Sequence, residues 1–90
     1  MIHHHRIRKH TGKLGERPAL SDLPGGATGL VHSLNGGKEL SARLAALGIT
    51  PGVQVTILQN FGRGPLTVAV RDTRLALGRG EARRVLVDVL

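Results

Sequence analysis

The 90-residue sequence predicts a mainly β fold, a small antiparallel barrel of about five strands with one α-helix inserted after the first strand. Three observations carry that expectation. The apolar segments after residue 18 are short and punctuated by Gly and Pro. Most of them alternate with the two-residue period of a half-buried strand, and one longer segment has a helical period. Short strands at this spacing favour closure, because an open sheet of this size would leave exposed edges.

Gly29 to Leu34 (GLVHSL) forms the first strand, and Asn35-Gly36-Gly37 forms a loop. In Lys38 to Leu47 (KELSARLAAL), Leu40, Leu44 and Leu47 recur at i, i+4 and i+7 and define the core face of a helix. Gly48 stops that helix in the left-handed conformation, Ile49 folds back onto the last turn, and Thr50-Pro51-Gly52 makes a tight corner. Val53, Val55 and Ile57 share one face of the second strand, with Gln54, Thr56 and Leu58 on the other. The glycine-rich connection Asn60 to Gly64 leads into Pro65 to Arg71, where Leu66, Val68 and Val70 share a face, so a hairpin joins these strands. Asp72-Thr73 turns into Arg74 to Leu77, Gly78 to Arg83 is one tight turn of helix, and Val85 to Leu90 closes the sheet.

Residues 1–17 differ in kind. They hold five Lys or Arg against Glu16 alone, and four of the five histidines, with no sustained periodicity. Such a segment cannot offset its ordering entropy by burial, so residues 1–17 are expected to form a basic, His-rich disordered tail, native or of cloning origin. Residues 18–90 are expected to form the domain. Of the formal charge of +7, the tail takes +4, and the domain keeps eight bases against five acids. The domain is only mildly basic.

Composition excludes several functions. With no cysteine there is no disulfide framework, thiolate metal site or cysteine nucleophile. Phe61 is the one aromatic residue, which leaves almost nothing for base stacking. A signal peptide or a membrane span would need longer apolar runs than any here, so a cytoplasmic protein without membrane insertion is expected. Asn35-Gly36-Gly37-Lys38 fails the phosphate-loop pattern, because His32 stands where the first glycine belongs and Glu39 follows the lysine. Ser33 and Ser41 lack a spaced partner base, and the acids show no ligand spacing, so no catalytic constellation is seen.

Leu20-Ser21-Asp22-Leu23, Gly29-Leu30-Val31, the run from Arg43 to Gly52 (RLAALGITPG), Gly64-Pro65-Leu66 and Ala76-Leu77-Gly78 before Glu81-Ala82 follow one another in order. Together they resemble FeoA, the small cytoplasmic component of bacterial ferrous iron transport, from about Ala19 to Leu90. The resemblance implies an SH3-like barrel, no catalysis, and action with FeoB, the membrane iron transporter with an N-terminal GTP-binding domain. Similar barrels end the DtxR-type metal-dependent repressors, but this chain has no room for their helix-turn-helix and dimerisation domains. Leu44, Leu47, Gly48, Pro51, Gly52, Gly64 and Pro65 are the motif positions, and each also has a plain structural meaning.

Arg43, Phe61 and Arg63 are the candidate partner contacts, placed in a groove between the helix and the Asn60 to Gly64 connection. Phe61 is either a contact anchor or a lid on the core. His3, His4, His5 and His10 are the candidate metal ligands, for adventitious zinc, nickel or iron, and no cofactor is required. His32 is expected as a partly exposed sheet residue. The leading expectation is an interaction module that docks on FeoB and modulates iron uptake, with weak homo-oligomerisation as a further property. The alternatives are a small basic nucleic-acid-binding barrel, although no specific nucleic acid is expected, and a metal-binding regulatory domain like that of the DtxR-type repressors.

Overall fold

The computed structural model describes residues 17–90, and its strands and helices follow the order expected from the pattern. After a single 3-10 turn, Leu20–Asp22, come β1 (Thr28–Leu34), α1 (Gly37–Ala46), β2 (Gln54–Gln59), β3 (Leu66–Val70), β4 (Thr73–Leu77), α2 (Arg79–Ala82) and β5 (Val85–Val89). The five strands form one antiparallel sheet in the order β4-β3-β2-β1-β5. Its inner face is aliphatic. Val31, Val55, Ile57, Leu66, Val68, Val70, Leu77, Val85 and Val87 are buried there, and Leu20, Leu23, Leu40, Leu44, Ile49 and Ala82 join the same cluster. No buried side chain among the described residues is polar or charged.

Two bulges bend the sheet. Between Val31 and Ser33 the pairing of β1 with β5 shifts register, and between Ile57 and Gln59 that of β2 with β3 does the same. The extra residues are His32 and Leu58, both exposed. Each bulge adds local twist and so curls the strands around the core.

The helix stop follows the sequence reading closely. Gly48 has φ +89°, its amide donates to Ala45 O at 2.9 Å, and the Ile49 amide donates to Leu44 O at 2.9 Å. This pair of bonds satisfies carbonyls that the helix end would otherwise leave open, and it carries the fully buried Ile49 back under the helix.

Three expectations require correction. Leu47 is not a core residue: it is 40% exposed. The helix ends at Ala46, so the i+7 position falls in the terminating turn, and Ile49 fills the core in its place. The sheet is also not closed by strand pairing, since β4 and β5 remain its two edges and are joined through α2. Residues 18 and 19 cover the β5 edge instead, where Val87 N donates to Pro18 O at 2.9 Å and Ala19 bridges Leu86. On β4, the exposed Arg74 guards the free edge against strand addition. Arg17, counted with the tail by charge, joins the domain through an ion pair with Asp88 at 2.8 Å.

Gly29 of β1 packs closely against Val87 of β5. A Cβ there would lie 2.9 Å from the Val87 Cβ, too close for any real contact. Gly29→Ala should therefore destabilise the domain by about 1–3 kcal/mol, read as a lower urea midpoint. Adding Val87→Ala should cost less in that background than in the wild type, because the new methyl occupies part of the vacated space.

Candidate functional site

The Asn60 to Gly64 connection is held from below by one carboxamide. Asn60 Nδ2 donates to Leu23 O at 2.8 Å and to Ser21 O at 3.1 Å. Its Oδ1 accepts from Gly62 N at 2.9 Å and from Arg79 Nη2 at 2.7 Å. Both donors and both acceptor sites of the amide are thus engaged. The neighbours also fix its orientation, because two are carbonyls that can only accept and two are N–H groups that can only donate. Arg79 adds a second tie, its Nε donating to Gly64 O at 2.9 Å. Gly62 and Gly64 have φ of +86° and +71°, which lets the chain turn sharply between these fixed points.

Phe61 is presented outward from this braced loop. It is 77% exposed and so does not serve as a lid on the core. Arg63, two residues on, is exposed as well. Arg43 projects from α1 toward α2, where its Nε donates to Glu81 Oε2 at 2.9 Å. The 60–64 loop and Arg43 are therefore both joined to α2, the loop through Arg79 and Arg43 through Glu81.

The concave surface near Arg43 lies between α1 and α2, with Leu40, Glu81, Arg83 and Arg84 among its lining, and no residue of the 60–64 loop contributes to it. The Arg79 tie holds the loop to α2, while Arg43 meets the same helix at Glu81.

His3, His4, His5 and His10 lie outside the described residues. Among the described residues no three His, Cys, Asp or Glu gather as a metal site. His32 is exposed on the β1 bulge, with Nδ1 3.0 Å from Ser33 Oγ. The motif glycines and prolines act in turns: Gly52 has φ +92°, and Pro51 and Pro65 are exposed beside the corners they shape. No helix among the described residues is long and apolar enough to cross a membrane. Sequence reasoning missed the roles of Asn60 and Arg79, whose partners are remote in the chain. It also passed over the adjacent Arg83-Arg84 pair, a visible basic doublet.

Comparison with known proteins follows from this geometry. Residues 19–89 match the family model described as the FeoA domain. A search of curated proteins finds no significant match. Among solved structures, an iron uptake regulatory protein (FeoA) is similar at 35% identity and a TM-score of 0.75, over 80% of this chain and 95% of that one. A FeoA of Stenotrophomonas maltophilia complexed with zinc, described as a prokaryotic SH3 domain protein, is similar at 36% identity and a TM-score of 0.67, over 78% and 88% of the two chains. A manganese-dependent transcriptional repressor in complex with manganese shares the fold, with a TM-score of 0.74 at 23% identity over 82% of this chain and 37% of that one.

Asn60→Ala would leave two carbonyls, one amide and one guanidinium nitrogen without this partner. A loss of about 1–3 kcal/mol is expected in thermal or urea unfolding, together with faster amide exchange at Gly62. Asn60→Asp should not rescue it, since a carboxylate can satisfy Gly62 and Arg79 but would face the Ser21 and Leu23 carbonyls with a lone pair.

Proposed function

Because the chain belongs to the FeoA family, which serves ferrous iron transport, we propose that it is a non-catalytic accessory protein acting by contact with the FeoB transporter. In this reading it works in the cytoplasm, docks on the GTP-binding region of FeoB and modulates iron uptake. The observation that carries the reading is Phe61, the chain's single aromatic residue, 77% exposed on a loop braced by Asn60 and Arg79. An aromatic side chain carried outside a wholly aliphatic core on a braced loop has the character of a binding anchor, because the loop's backbone is ordered before a partner arrives. Arg63 on the same loop and Arg43 across α2 supply charge at the margin of that contact. A Stenotrophomonas maltophilia relative is described as a candidate activating factor for ferrous iron transport, which accords with a regulatory role.

The barrel works without a resident metal in this proposal, and adventitious zinc, nickel or iron is confined to the N-terminal histidines. Calorimetric titration of the His3, His4, His5 and His10→Ala variant with ferrous iron and with zinc should show only weak heats. Tight stoichiometric binding by that variant would overturn this part of the reading.

The contact itself is tested by capture of the chain on the immobilised GTP-binding region. Phe61→Ala should weaken capture by roughly 30-fold, the size of a hot-spot truncation near 2 kcal/mol, while circular dichroism stays unchanged. Capture equal to that of the wild type by a folded Phe61→Ala protein would refute the docking surface.

A further inference from the structure

Building on that interaction reading, we propose that the groove between α1 and α2 docks an acidic extended segment of a protein partner. The groove has a volume of about 570 Å³, and Arg43, Arg83 and Arg84 line it against a single carboxylate, Glu81. Glu81 already pairs with Arg43 at 2.9 Å. Neither Arg83 nor Arg84 has a carboxylate within ion-pair distance among the described residues. Two cations thus face the groove in excess, and guanidinium forks match carboxylates in planar, bidentate geometry.

Arg84 is set in place by its surroundings. Its Nη1 donates to Asn35 O at 3.3 Å, and the Asn35 amide donates back to Arg84 O at 2.8 Å. Its stem passes over Gly36, where a Cβ would stand 3.2 Å from the Arg84 Cδ and would overlap the Leu40 side chain. The Gly36 φ is −176°, outside the left-handed region. The missing side chain there serves the room it leaves for Arg84 and Leu40. A guanidinium already ordered loses less entropy when a carboxylate arrives.

The chemistry favours a peptide over a nucleic acid. No aromatic side chain lines the groove, so bases would find no stacking surface beside the arginines. The groove also adjoins the proposed contact. Its wall α2 is the helix to which Arg79 ties the Phe61 loop, so a partner gripping Phe61 can continue over α2 and place its acids against Arg83 and Arg84.

Fluorescence anisotropy with the full chain tests this, using a labelled peptide of about ten residues alternating Glu and Gly, and a Gln and Gly peptide as control. The Glu peptide should bind with strong salt dependence, and the Gln peptide should not bind. R83E/R84E should weaken binding by about tenfold or more. R71E/R74E, the same change in charge placed on the β3–β4 hairpin, should have a much smaller effect. Equal weakening by both double variants, binding of the Gln peptide, or tighter binding of an oligothymidine through Arg83 and Arg84 would each overturn the proposal. If R83E/R84E unfolds, R83Q/R84Q replaces it, and wild-type affinity in that variant overturns the proposal equally. The two readings separate on the GTP-binding region of FeoB. Capture that depends on Phe61 but ignores R83E/R84E sinks the groove and leaves the docking surface standing. Peptide binding that depends on Arg83 and Arg84, without any capture, supports the groove and sinks the FeoB reading.

Discussion

A core built only from aliphatic side chains has no polar group to fix how its parts meet, so the orientation of the rim falls to hydrogen bonds outside it. Asn60 carries the largest share. Its carboxamide joins the turn at residues 20–23, its own loop and α2, three segments that no strand pairing connects. Dispersion and burial would tolerate small shifts among these segments, whereas directed bonds converging on one planar group resist them. The loop that carries Phe61 and the reach of Arg79 both meet at that single amide.

The arginines have a similar logic. Arg43 and Glu81 are exposed by 61% and 28% of their side chains, and pairs of this kind contribute about 0–1 kcal/mol to stability. Their value lies in position, since the pair fixes α1 relative to α2 and neutralises the only acid in the groove. The net charge of the sequence thus had little to say about function until it was divided by place. The division between residues 1–17 and the domain is visible in the sequence, while the excess within one groove is visible only in three dimensions.

What the sequence revealed was local, and what it withheld was remote. Alternation marked Val55, Ile57, Leu66, Val68 and Val70 as inward-facing, and all are buried. The helix stop at Gly48 and Ile49 was legible because its partners are at most five residues away. Leu47 misled because periodicity cannot tell where the last helical turn gives way to the cap. The 3-10 turn at Leu20–Asp22 is too short to carry a period. Three of the four Asn60 bonds cross 19 to 39 residues, and Arg43 reaches Glu81 across 38, separations at which no spacing rule operates. Phe61 was recognisable as unusual by composition, but whether a loop turns it inward or outward depends on those same remote bonds.

The entry and exit of the domain lie along one strand. Residues 17–19 run beside β5, Arg17 meets Asp88, and the Leu90 amide donates to Thr28 O at 2.9 Å. A fold whose two ends leave together can be joined to other sequence at either end, or set within it, without threading the chain through the sheet. Mechanically, tension between those ends would first peel residues 17–19 from the margin of β5. The strands around the core would bear load only afterwards, so the β5 margin is a tether that yields before the barrel does.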